Sequence, residues 1–252
     1  DASTPDPEAH TALPHLDVYR DGDTVLKVFD GDYPKSDVLS EALNQARVEE
    51  AGVCVPKLLE VMKLDDKWAI RSEYVPGETL QQLMDRDKDN CGEYLGRFVD
   101  IQLEICSHRA PLLNKLKDKL LRRIAESTLD ATTRYELRSR LSSMPEHQKI
   151  CHGDFNPSNI VVRADGSCCV LDWSHASQGN ASADAARTYL LFWLTGDIAA
   201  AESYLKLFCK KSDTAKQYVQ QWMPIVAAAQ SVGCRPQERE FLLQWANVFD
   251  YE

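Results

Sequence analysis

The sequence predicts an α+β chain of two lobes, in which a small antiparallel sheet with one helix precedes a mainly helical part. Over the first 75 residues, β-prone runs alternate with short turns and are interrupted by one segment of helical period. From residue 76 onward, apolar residues recur mostly at helical spacing, apart from a block of short strands between 150 and 172. We therefore divide the chain into 1–75 and 76–252, with residues 1–12 as a loose tail and the boundary near Val75–Gly77.

The first lobe contains the clearest local signals. Residues 17–29 predict a hairpin around Asp21-Gly22-Asp23, because turn residues separate two β-prone runs. Residues 37–51 carry apolar side chains at helical spacing, and Gly52 can end that helix. Residues 55–75 predict two further strands around Asp65-Asp66.

The second lobe opens with a connector at 76–80 that leads into a helix. Helical patterns follow at 92–107, 112–126 and 131–142, and again from 183 to the end. Between them, the segment 150–171 predicts a strand, a Gly/Pro-rich loop, a strand at 160–162, a turn and a strand at 168–171.

Composition excludes several classes of protein. The chain has 252 residues, 44% of them hydrophobic, and a net charge of −10 from 29 basic and 39 acidic side chains. This acidity argues against nucleic acid or an anionic membrane as a partner, and no apolar run reaches the about 18 residues of a membrane span. The eight cysteines are scattered without a C-x-x-C pair. We expect a cytoplasmic protein with reduced, mostly buried thiols and no zinc site.

Asp154 and Asn159 lie five residues apart in the loop "HGDFNPSN". Phosphoryl transfer needs a carboxylate to receive or orient the nucleophile's hydroxyl, and oxygen ligands for Mg²⁺. Asp154 can serve as the base and Asn159 as a neutral metal ligand. A turn stabilised by Asx hydrogen bonds explains the pair equally well.

Asp172 follows the strand "CCVL" and adds a second candidate metal ligand. If the strands at 160–162 and 168–171 form a hairpin, Asn159 and Asp172 converge at one end of it. The alternative role for Asp172 is that of a helix or turn cap.

Lys27 lies in the strand "VLKVF", where it either faces solvent or holds phosphates while paired with a carboxylate. Glu41 on the following helix is the favoured partner, and Glu49 and Glu50 are the alternatives. The segment Glu73-Tyr74-Val75 is either an extended linker that contacts a purine or an edge strand.

Together, "HGDFNPSNI", "VLDW", "VLKVF" and "EYVPGETL" resemble the motifs of the aminoglycoside phosphotransferase/choline kinase family, which is similar to the protein kinases in fold. The resemblance runs from about residue 17 to 200, and it implies a bilobal protein-kinase-like fold with ATP between the lobes.

The resemblance also implies roles for single residues. Asp154 is the catalytic base, and Asn159 and Asp172 bind Mg²⁺. Lys27, oriented by Glu41, holds the α- and β-phosphates, while Glu73, Tyr74 and Val75 contact the base. His152 and Asp184 support the loop. One departure is that "EAHTALPHL" contains no glycine where the family has a phosphate-covering loop.

The leading hypothesis is an ATP-dependent kinase that acts on a hydroxyl of an aminoglycoside-like or other amine- or sugar-type acceptor. The alternative is a non-catalytic nucleotide-binding or scaffold protein, and a protein kinase is disfavoured because no activation segment follows Asp172. The net charge and the carboxylates near the C-terminus favour a cationic acceptor, although a solvated acidic face explains them as well: Glu238, Glu240, Asp250 and Glu252.

Overall fold

The computed structural model describes residues 11–13 and 16–247. The strands are β1 Thr11–Leu13, β2 Leu16–Asp21, β3 Thr24–Phe29, β4 Leu58–Leu64, β5 Lys67–Glu73, β6 Glu78–Thr79, β7 Lys149–Cys151, β8 Ile160–Val162, β9 Cys168–Val170 and β10 Ser177–Gly179. The helices are α1 Lys35–Glu50, α2 Leu80–Arg86, α3 Cys91–Ser107, α4 Leu116–Glu126, α5 Ala131–Ser143, α6 Ala181–Leu194, α7 Ile198–Ser212, α8 Lys216–Gln230 and α9 Pro236–Ala246. Within these residues, no helix has both the length and the apolar character needed to cross a bilayer.

The amino-terminal strands form one antiparallel sheet in the order β1-β2-β3-β5-β4. Both predicted hairpins are present and both close through two-residue turns, Gly22-Asp23 and Asp65-Asp66. Gly22, Asp65 and Asp66 have positive φ, as the tight turns between twisted antiparallel strands favour. The predicted α+β architecture of this part of the chain is therefore confirmed.

Helix α1 packs on this sheet through its own small core. Val38 and Ala42 of the helix meet Phe29 and Ile70 of the sheet, and all four are buried. The much larger core of the chain lies among the helices that follow β5 and includes Phe98, Phe155, Trp173 and Trp222, among others. The sheet and the helical part thus have separate hydrophobic cores.

Helix α4 is shorter than the pattern predicts, because it begins at Leu116 rather than at residue 112. The preceding segment forms a turn at 111–112, and Gln178 of β10 holds it in this non-helical conformation. The Gln178 side chain donates hydrogen bonds to the carbonyls of Pro111, at 2.8 Å, and Leu113, at 2.6 Å, and its backbone N–H donates to Asn114. These long-range contacts override the local helical period. The strand β10 was not predicted either.

Strand β1 pairs with β2, Leu13 standing opposite Leu16. It takes in Thr11 and Ala12, which the sequence predicts as the end of a loose tail. Residues 1–10 lie outside the described residues. Residues 14 and 15, between β1 and β2, also lie outside the described residues, so the departure from the family's phosphate-covering loop stays a prediction.

None of the eight cysteines forms a disulfide. Cys106, Cys151 and Cys169 are buried, Cys54 is exposed, and the other four are half-buried. The prediction of mostly buried thiols is therefore only partly right, since the strand Cys168–Val170 and the helix ends leave several sulfur atoms partly accessible.

Gly77 joins the two parts of the fold under tight steric limits. Its φ is +146°, and a Cβ placed there would lie 2.2 Å from the carbonyl oxygen of Val162. Because β6 pairs with β8 immediately afterwards, that carbonyl cannot move without breaking the pairing. Glycine is therefore the residue that this connection requires.

Gly77→Ala should destabilise the protein, because strain at such a φ costs about 1–3 kcal/mol before the clash with Val162 is counted. The free energy of unfolding in urea measures the loss. Gly96→Ala is the matched control, since a Cβ at Gly96 in α3 meets no atom within 4 Å; it should gain about 0.5–1 kcal/mol. A Gly77→Ala protein as stable as the parent would contradict the assigned geometry.

Candidate active site between the sheet and the helices

A buried carboxylate holds the loop that follows β7. Asp184 lies in the first turn of α6 and is 3% exposed. Its two oxygens accept hydrogen bonds from the backbone N–H groups of His152, at 3.0 Å, and Gly153, at 2.8 Å. An unpaired N–H group buried at this point would be costly, and a charged acceptor satisfies both groups strongly. Asp184 thus contacts the backbone of the loop at two consecutive residues.

His152 is fully buried and links the loop to the end of β9. Its Nε2 lies 2.8 Å from the carbonyl oxygen of Leu171, and its Nδ1 lies 3.1 Å from the backbone N of Asp154. A carbonyl can only accept and a backbone N–H can only donate, so the ring carries its proton on Nε2. The ring also packs on Trp173 with centroids 4.5 Å apart. These contacts agree with a supporting role.

Asn159 and Asp154 are joined by hydrogen bonds inside the loop. The side-chain amide of Asn159 donates to the backbone carbonyl of Asp154, at 2.9 Å, and to its carboxylate, at 3.2 Å. The Oδ1 atom of Asn159 accepts no hydrogen bond from the residues that the structure describes. The amide thus fixes Asp154 with its nitrogen and keeps its oxygen available for a ligand.

Asp172 has an unusual backbone conformation, with φ at +58°. A residue other than glycine in this region is strained, and such strain is typical of functional sites. Two contacts hold it there: Ser174 Oγ donates to Asp172 Oδ1 at 2.9 Å, and the indole N–H of buried Trp173 donates to the carbonyl of Val170 at 2.9 Å. The turn directs the carboxylate toward the sheet.

The predicted hairpin is formed by β8 and β9, with Ile160 opposite Val170. Beyond this pair, the Leu171 N–H donates to the Asn159 carbonyl at 2.7 Å. Asn159 and Asp172 consequently lie at the same end of the hairpin and line one cavity of about 400 Å³.

Lys27 of β3 points into the same cavity and is paired with two carboxylates. Its Nζ lies 2.5 Å from Glu41 Oε1 and 3.8 Å from Asp172 Oδ1. Burial lowers the pKa of Lys27, but the charges of Asp172 and Glu41 outweigh it, so its pKa is raised. This shift in the pKa of Lys27 follows from its two carboxylate partners. Neither of the alternative partners predicted for Lys27 takes the place of Glu41: Glu49 accepts a hydrogen bond from the Leu58 N–H at 3.1 Å, and Glu50 is exposed.

The segment predicted to contact a purine forms one wall of the 400 Å³ cavity. The Glu73 N–H donates to the Lys57 carbonyl and the Tyr74 N–H donates to the Asp23 carbonyl, each at 2.9 Å. Arg20 stacks on the Tyr74 ring, 3.9 Å from its centroid. The amide and carbonyl of Val75 have no hydrogen-bond partner among the described residues, so of the three it is Val75 that leaves its backbone open to a ligand.

The two aspartates differ in their electrostatic surroundings. Burial raises the pKa of Asp154, although the charge of Arg187 opposes this shift. Burial acts in the same direction on Asp172, but the charge of Lys27 and the hydrogen bond from Ser174 together outweigh it and hold the pKa of Asp172 below its ordinary value. Asp154 is therefore the better proton acceptor, while Asp172 remains ionised.

The oxygens at the end of the hairpin suit a magnesium ion. Mg²⁺ commonly takes one or two protein groups and completes its shell with phosphate oxygens and water. The carboxylate of Asp172 and the open Oδ1 of Asn159 match this pattern, and Lys27 lies close enough to share the negative charge of a phosphate.

A second cavity of about 730 Å³ lies on the other side of Lys27 and Asp172, and its basic residues were not predicted. Lys119, Arg122 and Arg123 of α4 line it. Their spacing of three and four residues places them on one helix face, a signal present in the sequence. The direction of that face depends on how α4 packs, which the spacing does not reveal.

Arg187 was also missed. It lies on α6, one turn after Asp184, and its Nε donates to the Gly153 carbonyl at 3.4 Å. Arg187 lines a third cavity of about 270 Å³ together with Arg123, His175 and Glu238.

The four carboxylates that favoured a cationic acceptor are only partly located near these cavities. Asp250 and Glu252 lie outside the described residues. Glu240 is exposed on α9. Glu238 lines the third cavity and accepts a hydrogen bond from the Arg235 N–H at 3.3 Å.

Comparison with known proteins identifies a family. Residues 15–219 match the model of the Phosphotransferase enzyme family, APH. No curated protein sequence matches the chain significantly.

Several solved structures share the fold. A choline/ethanolamine kinase family protein from Mesorhizobium loti aligns with a TM-score of 0.67 and 15% identity, over 96% of this chain and 87% of that chain. A thermostable mutant of aminoglycoside phosphotransferase APH(4)-Ia, in ternary complex with ADP and hygromycin B, aligns with a TM-score of 0.67 and 15% identity, over 94% and 90%. Aminoglycoside-3'-phosphotransferase of type VIII aligns with a TM-score of 0.63 and 16% identity, over 85% of this chain and 88% of that chain. The predicted protein-kinase-like fold is confirmed.

Asp184→Asn should destabilise the protein by about 1.5–3 kcal/mol, because one of the two buried amides would then face an NH₂ group. Urea unfolding measures this loss. Asp165→Asn is the matched control: its carboxylate also accepts a backbone N–H, that of Ser167 at 2.8 Å, but in an exposed turn. Equal stability of the two variants would show that Asp184 does not brace the loop.

Proposed function

Because the chain belongs to the APH phosphotransferase family, we propose that it is an ATP-dependent kinase that phosphorylates a hydroxyl group of a small molecule. The observation that carries the proposal is the arrangement of four side chains at the meeting point of two cavities. Lys27 and Asp172 line both cavities, Asn159 lines the smaller one, and Asp154 is hydrogen-bonded to Asn159.

In this proposal the 400 Å³ cavity binds ATP. Apolar side chains of the sheet and of the hairpin enclose the adenine, Val18 and Val161 among them, and the open backbone groups of Val75 hydrogen-bond to it. Lys27, held by Glu41, binds the α- and β-phosphates as a compact positive charge. Similar APH(4)-Ia structures are ternary complexes of hygromycin B with ADP or AMP-PNP, which supports a nucleotide as a ligand of this fold.

Asn159 and Asp172 would hold Mg²⁺ against the phosphates. The ion, when bound, neutralises the charge that develops on the transferred group. The lowered pKa of Asp172 keeps this carboxylate ionised for that purpose.

Asp154 orients the acceptor hydroxyl and receives its proton. The hydroxyl oxygen forms a bond to Pγ while the bond from Pγ to the bridging oxygen of ADP breaks, so that a phosphate ester and ADP are produced. A carboxylate with a raised pKa is better matched to accept this proton than one with an ordinary pKa. The hydrogen bonds from Asn159, together with the bracing of the loop by Asp184, hold Asp154 in one position.

For the acceptor, a sugar or an amino alcohol of the size of the known family substrates is the starting proposal. Its support is the named ligand hygromycin B in the APH(4)-Ia complexes and the choline/ethanolamine kinase family of another similar structure.

A second candidate function is a nucleotide-binding scaffold without catalysis. The specific observation in its favour is the absence of glycine from "EAHTALPHL", where the family has a phosphate-covering loop. The intact set of Lys27, Asp154, Asn159 and Asp172 argues against it, since a scaffold would have no use for a proton acceptor beside the metal ligands.

Asp154→Asn should lower kcat by roughly 10²–10⁴-fold, because the shape is kept while the charge that orients and accepts the proton is lost. The measurement is ADP release in a screen of amino sugars, neutral sugars, sugar acids and amino alcohols, with Mg-ATP affinity determined in parallel. Affinity should change little. Asp165→Asn, in the exposed turn after β8, is the control and should retain full activity. Acceptor-dependent turnover that survives in Asp154→Asn would overturn the catalytic assignment.

A further inference from the structure

The charge around the proposed acceptor site has the opposite sign to that of the whole protein. The chain carries a net charge of −10. Even so, three cationic side chains of α4, Lys119, Arg122 and Arg123, line the 730 Å³ cavity that opens from Asp172. We call these three residues the α4 basic cluster.

No carboxylate neutralises this cluster. Among residues 16–247, no Asp or Glu oxygen lies within 4.0 Å of a side-chain nitrogen of Lys119, Arg122 or Arg123. Some cations elsewhere among the described residues are paired, for example Arg86 with Glu78 at 2.6 Å and Lys211 with Asp100 at 2.7 Å, but many are not. What distinguishes Lys119, Arg122 and Arg123 is that they lie on one helix face and line the same cavity. Like charges three and four residues apart destabilise a helix, and a bound anion would offset that repulsion.

The carboxylates of the same cavity are otherwise engaged or exposed. Glu41 and Asp172 are paired with Lys27. Asp37 and Asp118 also line the cavity and are exposed to solvent, as Arg122 is. With Lys27 and Lys115 included, five basic side chains line the cavity against four carboxylates, and three of the five belong to the α4 basic cluster.

The α4 basic cluster is connected to the loop that carries Asp154. Lys119 Nζ donates to the His175 carbonyl at 3.2 Å. His175 in turn lies directly against Gly153, since a Cβ on Gly153 would be 2.8 Å from the Cβ of His175. Gly153 precedes Asp154 in the chain, and Arg123 and His175 also line the 270 Å³ cavity beside it. Arg187, whose charge acts on Asp154, lines that cavity as well, so the cluster and the proposed catalytic base border the same region of the fold.

We propose that the acceptor carries an anionic group, a carboxylate or a phosphate ester, which the α4 basic cluster binds while a hydroxyl of the same molecule faces Asp154. This inference rests on the proposed kinase function and replaces the cationic acceptor that the net charge favours. Overall charge reports on the whole surface, whereas the sign of charge in a cavity selects the ligand.

The cations of the α4 basic cluster affect one another's pKa values. Burial, and to a smaller extent the charges of Arg123, Arg122 and Arg187, lower the pKa of Lys119 to about 8. Arg123 is affected in the same way, because burial and Arg122 lower its pKa. The cations of this region thus repel one another, and a bound anion would relieve the repulsion.

The test uses four sugars that differ mainly in charge: D-glucose, D-glucosamine, D-glucuronate and D-glucose 6-phosphate. Binding of each is measured by calorimetry with AMP-PNP and Mg²⁺ saturating the nucleotide site, and transfer from ATP is measured separately by ADP release. We expect at least one anionic sugar to bind about tenfold or more tightly than D-glucose and D-glucosamine, and to lose affinity as salt rises. Whichever of the two anionic sugars binds more tightly shows whether the site prefers a carboxylate or a phosphate ester.

The variant is the double substitution Arg122→Gln/Arg123→Gln, with Arg138→Gln on α5 as the control. Arg138 is exposed and belongs to none of the three cavities described. The double variant should lose the preference for the anion while its affinity for D-glucose and for AMP-PNP stays within about twofold. Arg123→Lys retains the charge and should retain most of the preference, which a purely structural role of Arg123 does not predict.

Three results would overturn the inference. One is tightest binding of D-glucosamine, another is equal or undetectable binding of all four sugars, and the third is a double variant that loses affinity for AMP-PNP but keeps its sugar preference. The last would assign the cluster to the nucleotide's phosphates. Failure of the kinase proposal looks different, since it appears as absence of Asp154-dependent transfer to any acceptor, whether or not an anion binds.

Discussion

The ammonium group of Lys27 lies between two carboxylates from different parts of the chain, and the site depends on it. Glu41 comes from the helix on the amino-terminal sheet, and Asp172 follows β9 in the helical part. Without the cation, these carboxylates would repel each other in a partly buried space. With it, Asp172 stays ionised and the two parts of the fold are linked at the cleft. In the proposed function, the positions of Lys27 and Asp172 relative to each other define where a phosphate and its metal bind.

The loop around Asp154 is held from several directions. Asp184 accepts hydrogen bonds from two backbone amides of the loop, and His152 connects the loop to the end of β9. Phe155 of the loop stacks on Phe98 of α3 with ring centroids 4.4 Å apart. Asp172, in contrast, is held in a strained conformation that Ser174 and Trp173 stabilise. Asp154 is thus fixed by the hydrogen bonds of its loop, and Asp172 by the contacts that stabilise its strained backbone. Phosphoryl transfer requires groups that are positioned in this way before the substrate binds.

The sequence was informative where local chemistry decides the outcome. Turn residues placed both hairpins, and the hairpin of β8 and β9 brought Asn159 and Asp172 together as expected. The sequence favours Glu41 as the partner of Lys27 but leaves Glu49 as an alternative. The choice between them depends on which face α1 turns toward the sheet, and the sequence does not determine that orientation. The assignments to catalysis and to the metal remain predictions.

What could not be predicted depends on contacts between distant segments. Gln178 holds residues 111–114 in a non-helical conformation and so sets the start of α4. That start and the packing of α4 place Lys119, Arg122 and Arg123 along the cavity. Composition was misleading for the same reason, since the sum of charges over 252 residues contains no information about which of them line a site.

The most direct test of the central claim is calorimetry of AMP-PNP binding with and without Mg²⁺, in the parent protein and in Asp172→Ala. If Lys27, Asn159 and Asp172 form a metal–phosphate site, Mg²⁺ should strengthen binding to the parent by about tenfold or more. The same ion should have little effect on Asp172→Ala, although the variant should still unfold cooperatively. Binding that is equally strong in both proteins and independent of Mg²⁺ would contradict the account.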